Sequence, residues 1–186
     1  MRKLIAFNLM TLDGFFEGPG HDIKWHNVDK EFDEFSIAQL ESAGALLFGR
    51  VTYELMANFW PSEMALEDDP IVAKWMNSLP KVVFSRTLET AEWNNTRLVK
   101  TNVAGEITKL KQQPGKDLFL FGSADLAATL IKLGLIDEYR ILLNPIVLGK
   151  GSPLFKGVEK PFKLSLVKTQ TFQNGNILLY YQPDKK

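Results

Sequence analysis

The stretch LLFGRVTYE, Leu46 to Glu54, decides the fold of this chain. Its apolar beginning predicts a buried strand that breaks at Gly49, and the following residues, with Arg50 and Thr52, predict the start of a helix. The unpaired N–H groups of a helix's first turn and the helix dipole attract anions, and glycine lets the backbone come close to them. A strand, a glycine and a helix start in this order therefore predict a phosphate-binding element.

A second element of this kind follows in FLFGSADLAATL, Phe119 to Leu130. Another apolar strand stops at Gly122 and another helix begins, with Ser123 and Asp125 as candidate cap residues. Two such strand ends can hold the two phosphates of one dinucleotide.

Composition restricts the class of protein. The chain has 186 residues, of which 45% are hydrophobic and 24% are charged, and it contains no cysteine. We expect one globular domain over residues 1–186, and thiolate catalysis is excluded. The apolar start of the chain is short and predicts a first strand rather than a signal peptide, and no apolar stretch approaches the roughly 20 residues of a membrane span. We therefore expect a cytoplasmic protein with no membrane partner.

The charges set further expectations about partners. The formal net charge is zero, with acidic residues concentrated in the first half of the chain and basic residues in the second. This asymmetry fits an anionic ligand, and it equally fits solvated faces of opposite sign. The lysines are scattered, so no nucleic-acid partner is expected. His21 and His26 lack a recognisable third ligand, so no metal is expected.

Strand and helix patterns alternate along most of the chain, which predicts a mostly parallel sheet with helices on both faces. Strands are predicted at 3–8, 45–48, 81–85, 97–100, 117–121 and 139–143, and helices at 29–42, 50–57, 71–77, 103–111 and 124–133. Gly44 is expected to end the first helix, residues 10–27 to form a long loop, and residues 58–70 to be irregular. Asn174 and Gly175 predict a turn between two antiparallel strands, FKLSLVKTQTF and NILLYY. The fold class is α/β with an antiparallel C-terminal hairpin.

Five motifs follow one another in the order of a known family. They are TLDGFFEG at 11–18, LLFGRVTYE at 46–54, KVVFSRTL at 81–88, FLFGSADLAATL at 119–130 and LIDEYRILLNPIVLGKGSPLF at 135–155. With them the chain resembles the C-terminal reductase domain of the bifunctional riboflavin-biosynthesis deaminase/reductase, within the dihydrofolate-reductase-like fold. The resemblance implies a three-layer α/β/α domain with a mostly parallel central sheet. No zinc-deaminase signature accompanies these motifs, so a stand-alone reductase domain is expected.

The resemblance implies NADPH as the cofactor. Arg50 and Arg86, the latter just past Ser85, follow predicted strand ends and are suited to the 2′-phosphate that distinguishes NADPH, because a guanidinium forks onto phosphate oxygens. The GxGxxG fingerprint of other dinucleotide-binding folds is absent. By position, the residues expected around the pyrophosphate are Gly49, Thr52, Gly122, Ser123, Ala124 and Asp125.

Hydride transfer from a nicotinamide requires the protein to supply a proton. Without cysteine, the source is a carboxylic acid or a relayed water, and in the dihydrofolate reductases a carboxylate on the first helix, shortly after a tryptophan, contacts the substrate. Here Trp25 is followed by Asp29, Glu31 and Asp33. Asp29 and Glu31 are candidates for the catalytic acid, although acidic residues also favour a first helical turn because of its dipole alone.

Asp13 is a further candidate for the catalytic acid. The TLDG sequence resembles the SLDG motif of the riboflavin reductases, whose aspartate lies near the nicotinamide and the substrate. Ligands of open α/β sheets also bind beyond the carboxyl ends of strands, and Asp13 follows one. An aspartate before Gly14 is equally a common turn residue.

The sequence therefore predicts an NADPH-dependent reductase resembling 5-amino-6-(5-phosphoribosylamino)uracil reductase, which reduces a C=N or C=O bond of a small heterocyclic substrate. Residues 51–84 contain no arginine and only two lysines, Lys74 and Lys81, so a pterin or a small carbonyl or imine compound stays open as substrate. The alternatives are a dihydrofolate or pterin reductase and a non-catalytic NADPH-binding protein. A long apolar hairpin at a sheet edge needs a cover, and the family it resembles pairs through its sheets, so a homodimer is expected.

Overall fold

The structure is a computed structural model, and it describes residues 1–184. The strands are β1 Leu4–Thr11, β2 Phe15–Glu17, β3 Ala43–Gly49, β4 Lys81–Phe84, β5 Thr96–Val99, β6 Asp117–Phe121, β7 Glu138–Asn144, β8 Ser152–Pro153, β9 Leu164–Thr171 and β10 Ile177–Pro183. The α-helices are α1 Lys30–Glu41, α2 Arg50–Phe59, α3 Glu63–Asp68, α4 Pro70–Ser78, α5 Val103–Gln112 and α6 Ala124–Lys132. No helix within these residues is long and apolar enough to cross a lipid bilayer.

Eight strands form one sheet in the order β5-β4-β3-β6-β1-β7-β10-β9. The neighbouring strands from β5 to β7 run parallel, whereas β10 is antiparallel to both β7 and β9. Strands β2 and β8 form a separate two-stranded sheet. The predicted α/β class, with a mostly parallel central sheet and an antiparallel C-terminal pair, is confirmed.

Helices cover both faces of the parallel strands because β-strand side chains alternate between the faces. Leu4 of β1 belongs to a core cluster with Ile107 of α5 and Leu130 of α6. The next residue, Ile5, belongs to a second cluster that includes Leu40 of α1 and Val72 of α4. The molecule therefore has three layers, and strands buried on both faces explain the continuous apolar runs of the sequence.

Three expectations about local structure are wrong. Gly44 lies inside β3 and does not end α1, whose last residue is followed by Ser42 as C-cap. A Cβ atom on Gly44 would lie 2.5 Å from the carbonyl oxygen of Lys116, so glycine here allows β3 to pass close to the chain that leads into β6. Residues 10–27 contain the end of β1, β2 and a 3₁₀ turn, and the segment 58–70 contains α3.

Candidate active site

The two predicted phosphate-binding elements lie side by side. Strands β3 and β6 are neighbours in the sheet, so α2 and α6 begin at the same edge, next to the end of β1. Ligands of open α/β sheets bind at such an edge, outside the carboxyl ends of the strands. This arrangement is consistent with the sequence prediction that residues 46–54 and 119–130 hold the two phosphates of one dinucleotide.

Hydrogen bonds join the two helix starts directly. The backbone N–H of Gly49 donates to Oγ of Ser123 over 2.9 Å, and the backbone N–H of Ser123 donates to Oγ1 of Thr52 over 3.1 Å. The Ser123 hydroxyl in turn donates to the carbonyl oxygen of Phe121 over 3.0 Å. The junction therefore fixes the position of the first turn of α2 relative to that of α6.

Two consecutive residues of this junction have left-handed backbone conformations. Gly122 has φ +56° and Ser123 has φ +62°. A Cβ atom on Gly122 would approach the side chain of Thr52 to 3.3 Å, so both the conformation and the close contact favour glycine. Ser123 adopts this conformation without being glycine, which stores local strain where the helix begins.

The starts of α2 and α6 are not capped by side chains, which distinguishes them from the other α-helices of residues 1–184. Side chains of Asp29, Ser62, Asp69 and Asn102 accept backbone N–H groups at the starts of α1, α3, α4 and α5. Neither Gly49 nor Ser123 does so at α2 and α6. Ser123 occupies the N-cap position of α6, but its hydroxyl bonds to Gly49 and Phe121 and does not cap the helix. Asp125 lies within the first turn of α6. The prediction of a side-chain cap from these residues is therefore wrong. The first-turn N–H groups of both helices lack a side-chain acceptor and suit an anionic ligand.

A small cavity of about 280 Å³ opens at these helix starts. Its basic side chains are Arg50 and Lys156, and its other lining residues include Gly49, Thr52, Ser123, Ala124 and Asp125. Arg50 also forms an exposed ion pair with Glu54, with 2.9 Å between Nη1 and Oε2. Of the six residues predicted around a pyrophosphate, all but Gly122 line this cavity. Gly122 lines a second, larger cavity next to it.

Ser85 and Arg86 lie further along the same edge, after β4. The Ser85 hydroxyl accepts backbone N–H groups of Thr87 and Leu88, and the Arg86 side chain is exposed. Neither residue lines the two cavities described here. Their contact with a 2′-phosphate stays a prediction.

A larger cavity of about 760 Å³ adjoins the small one, because Phe16, Glu17, His21, Val51 and Thr52 line both. It lies between the end of β1, α1 and α2. Most of its wall is apolar and includes Phe7, Leu9, Phe32, Leu40, Val51, Leu55, Met56, Phe59, Trp60, Val72, Met76 and Phe121. On α2, Val51, Leu55 and Phe59 are spaced four residues apart and are all partly exposed, so this helix presents an uncovered apolar stripe to the cavity. A flat, apolar molecule fits such a wall.

Within the described residues, the three candidate acids Asp13, Asp29 and Glu31 do not line the larger cavity. Each accepts a backbone N–H group and so stabilises the elements around that cavity. Asp29 caps α1 by accepting the backbone N–H of Phe32 over 3.0 Å. Glu31 accepts the backbone N–H of Gln173 over 2.8 Å and so connects α1 to the C-terminal hairpin.

Asp13 connects two of the motifs that carry the family resemblance. Its carboxylate accepts the Thr11 hydroxyl over 2.6 Å and the backbone N–H of Gly149 over 2.7 Å. The hydrogen bond from Thr11 is the largest cause that lowers the pKa of Asp13, which is therefore ionised at neutral pH. The contact holds the TLDG turn against the segment that leads into β8, and β8 pairs with β2 beside both cavities.

Asp33 is the carboxylate of α1 that lines the larger cavity. Burial raises its pKa, and the nearby carboxylates of Asp69 and Asp29 raise it further. Asp33 follows Trp25 together with Asp29 and Glu31, but it was not predicted to be the catalytic acid. Asp33 lies at helical spacing from Ser36 and Gln39, which also line the cavity, but the sequence does not show that this face of the helix borders a cavity.

Asn8 is a polar residue of the cavity that sequence reasoning missed. It lies on β1 with 4% of its surface exposed, and its Oδ1 atom is buried with no hydrogen-bond partner among the described residues. A buried acceptor without a donor is unfavourable, and the rest of the protein does not compensate Oδ1 within the described residues.

The two histidines of the cavity differ in environment. His21 lies 2.8 Å from Glu17, measured from Nδ1 to Oε2. Burial lowers the pKa of His26 to about 4, so its ring is neutral at pH 7. No group of three or more metal-ligating side chains occurs within residues 1–184.

The order of strands in the sheet is that of a dihydrofolate-reductase-like fold, and comparison with solved structures agrees. The structure aligns with dihydrofolate reductase from Enterococcus faecalis, solved with NADP(H), with a TM-score of 0.66 and 14% identity over 98% of this chain and 97% of that one. It aligns with a "Putative riboflavin biosynthesis protein" from Shewanella sp. PV-4 with a TM-score of 0.76 and 24% identity over 98% and 99% of the two chains.

The chain belongs to the RibD C-terminal domain family, whose family model matches residues 2–178. It is 36% identical over 182 residues to the "Uncharacterized protein YyaP" of Bacillus subtilis (strain 168), covering 97% of this chain and 94% of that protein. The resemblance inferred from the five motifs is confirmed.

Proposed function

We propose that the protein is an NADPH-dependent reductase that transfers a hydride to a C=N or C=O bond of a small heterocyclic substrate. The observation that carries the proposal is the direct connection between the small cavity, with its two uncapped helix starts, and the large apolar cavity. The first offers N–H groups and cations to phosphates, and the second offers a wall for flat rings.

The residues that would hold the cofactor follow from the lining of the small cavity. Gly49, Thr52, Gly122 and Ser123 shape the junction, while the first-turn N–H groups that begin with Arg50 and Ala124 would donate to the phosphates of the cofactor. Asp125 lies in the same first turn. Arg50 is proposed for the 2′-phosphate, with Arg86 and Ser85 further along the edge. Bound NADPH would supply the hydride from its nicotinamide ring.

Asp33 is the proposed proton donor. Burial and the neighbouring carboxylates raise the pKa of Asp33, so Asp33 holds a proton more readily than an ordinary aspartate, which suits a general acid. Asp13 holds its proton less well because its pKa is lowered, so its proposed role is to position the turn between β1 and β2. Asp29 and Glu31 are proposed to fix α1, and thereby the carboxylate of Asp33.

A pterin reductase is the second candidate function, and the position of Asp33 on the first helix favours it. A screen of NADPH consumption against pterins, aminopyrimidines and small carbonyl or imine compounds tests both candidates. We expect turnover with at least one class of compound and its loss in Asp33→Asn. NADPH binding without turnover of any compound would support the non-catalytic alternative.

We also propose a homodimer formed through the C-terminal edge of the sheet. Strand β9 is an edge strand, and Leu166 and Val167 each expose 54% of their surface. Ile177 of β10 adds exposed apolar surface nearby. An apolar edge strand favours pairing with another strand, and a second copy of the chain offers the same edge.

A further inference from the structure

The side chain of Gln39 lies at the end of the larger cavity that is remote from the small one. Gln39 and Leu40 of α1 line this end together with Val72 and Met76 of α4, and none of these four residues lines the small cavity. Gln39 follows Asp33 by two helical turns, roughly 9 Å along the axis of α1. A ligand group beside Gln39 is therefore distinct from one beside Asp33.

A hydrogen bond from Arg140 fixes which way the amide of Gln39 points. Nη1 of Arg140 donates to Oε1 of Gln39 over 3.2 Å. Arginine has five N–H donors and no acceptor, so the amide oxygen, and not the amide nitrogen, must face it. The chemistry of the partner thus decides an orientation that the shape of an amide leaves open. The Nε2 group consequently points away from Arg140.

Arg140 is itself held in place on β7. Its Nε donates to Oε1 of Glu138 over 2.8 Å, and only 18% and 11% of the two side chains are exposed. Its guanidinium lies 5.2 Å from the ring centroids of both Phe119 and Tyr180. A buried ion pair adds little stability over apolar side chains of similar volume, because both charges lose their hydration. The orientation of Gln39 gives this buried cation a role that an apolar side chain could not fill.

The amide nitrogen of Gln39 is left free to donate to a ligand. Nε2 makes no hydrogen bond within residues 1–184, where the bond to Arg140 engages the oxygen. Nor is Nε2 sealed in the core, because the buried side-chain atoms without a partner in that part of the chain are Asn8 Oδ1 and Thr96 Oγ1. Gln39 exposes 4% of its surface and lines the larger cavity. An almost completely buried side chain therefore presents an N–H donor to this cavity.

We propose that Gln39, oriented by Arg140, is a specificity-determining residue whose Nε2 donates to a neutral acceptor of the substrate, either a carbonyl oxygen or an unprotonated ring nitrogen. Neither lysine nor arginine is among the described residues that line this cavity, so an anion would meet no cation here, whereas a neutral acceptor needs only the N–H donor. Arg140 is a positioning residue, because it acts through Gln39. The inference rests on the proposed function for the word substrate, and the preference for an acceptor rests on the geometry of Gln39.

Flat probes that differ in one polar group test the inference. 1-Indanone offers a carbonyl oxygen, quinoline a ring nitrogen and indole an N–H donor, and all three are uncharged at pH 7.5. Their affinities are measured by NMR titration without cofactor, so that no ketone is reduced. Gln39→Met removes the donor at similar side-chain length and should weaken 1-indanone and quinoline roughly fivefold or more, and indole less than about twofold. Equal changes for the acceptor probes and indole, or no binding of either acceptor probe to the unaltered protein, overturn the inference.

Further variants separate orientation from packing. Gln39→Glu keeps an oxygen for Arg140 but has no N–H group, so it should keep the melting temperature and still lose affinity for the acceptor probes. Arg140→Met leaves an apolar stem between the two rings and frees the amide to rotate, so it should reduce the preference for acceptors over indole about threefold or more. Lys168→Met is the matched control, because Lys168 also lies over the Tyr180 ring, 4.2 Å from its centroid, but is not bonded to Gln39. An equal change of preference in Lys168→Met would overturn the role of Arg140.

Failure of the inference and failure of the proposed function give different results. If Gln39→Met loses the acceptor probes but the unaltered protein does not bind NADPH, the inference holds and the reductase proposal is wrong. If a compound is reduced with the same KM and kcat by Gln39→Met and by the unaltered protein, the reductase proposal holds and the inference is wrong. A raised KM with little change in kcat supports both.

Discussion

The backbone N–H of Gly49 donates a 2.9 Å hydrogen bond to the Ser123 hydroxyl, and this bond ties the start of α2 to the start of α6 across 74 positions of sequence. The bond satisfies one orphan N–H of α2 within the protein and leaves the following N–H groups without a side-chain cap. The two helix starts therefore act as one rigid element facing the small cavity.

Ser123→Ala should lower the free energy of unfolding by about 1 to 3 kcal/mol, because the partly buried N–H of Gly49 loses its acceptor. Thermal unfolding measures this loss. Thr108→Ala is the matched control, since it removes an exposed hydroxyl bound to the carbonyl oxygen of Ala104 within α5. A similar loss of unfolding free energy in both variants would show that the Ser123 hydroxyl stabilises the fold no more than an exposed hydroxyl does.

Gly122→Ala should weaken NADPH binding at least tenfold, because the added methyl group meets Thr52 in the junction. Gly134→Ala separates this contact from backbone strain. Gly134 also has a positive φ, +64°, but open space around its Cβ position. Both variants should lose about 1 to 2 kcal/mol of stability from the left-handed conformation, while Gly134→Ala keeps its NADPH affinity. Unchanged binding in Gly122→Ala would contradict the assigned site.

Arg50→Ala should weaken NADPH binding roughly tenfold to hundredfold and NADH binding much less, because a charge-assisted phosphate contact contributes about 1.5 to 3 kcal/mol. Tryptophan fluorescence titration with each cofactor measures the difference. Arg97→Ala is the control, because Arg97 pairs with Glu106 away from both cavities. Equal losses for NADPH and NADH would refute the role of Arg50.

Asp33→Asn and Asp13→Asn should change stability in opposite directions at neutral pH. The raised pKa of Asp33 means that its ionised form destabilises the folded chain above that pKa, and the penalty disappears as the pH falls below the ordinary value. Asparagine removes the penalty, so the melting temperature at pH 7 should rise while turnover falls.

The lowered pKa of Asp13 has the reverse sign. Its ionised form stabilises the folded chain above the ordinary pKa, and this contribution is lost as the pH falls through the lowered value. Asp13→Asn should therefore lower the melting temperature at pH 7 and change it less in acid. Thermal unfolding of both variants across the acid range decides whether the two environments differ as described.

If the chain forms a homodimer, light scattering at micromolar concentration should give a mass near twice 21.1 kDa. Val167→Lys, at the exposed edge strand, should shift the mass toward that of one chain because a buried lysine opposes strand pairing. A single-chain mass for the unaltered protein at all concentrations would exclude the dimer.

Local sequence patterns predicted most of the fold because it is built from strand, glycine and helix units whose signals are short. The helix predicted at 29–42 begins and ends within one residue of α1, and the helix predicted at 103–111 begins and ends within one residue of α5. Gly44 was wrongly predicted to end α1. A glycine is needed there because β3 passes close to Lys116, 72 positions away, and no local sequence pattern shows that contact.

The candidate site was predicted less well for the same reason. Arg50, Thr52 and Ala124 could be proposed from the sequence because a phosphate site is a local strand-to-helix pattern, and the structure places all three in the lining of the small cavity. Asp33 and Asn8 matter through the cavity that they line together, and that cavity depends on the packing of α1 against β1 and α2. The acidic residues Asp29, Glu31 and Asp33 are alike in sequence and differ only in what each one contacts.

The central claim is that a dinucleotide spans the two connected cavities, and a crystal structure of the protein with NADPH tests it most directly. We expect the pyrophosphate to contact the first turns of α2 and α6, including residues 122–125, and the nicotinamide to lie beside residues 8–14 and the cavity of Asp33. A cofactor bound across the hairpin of β9 and β10, with both helix starts free of phosphate, would contradict the account.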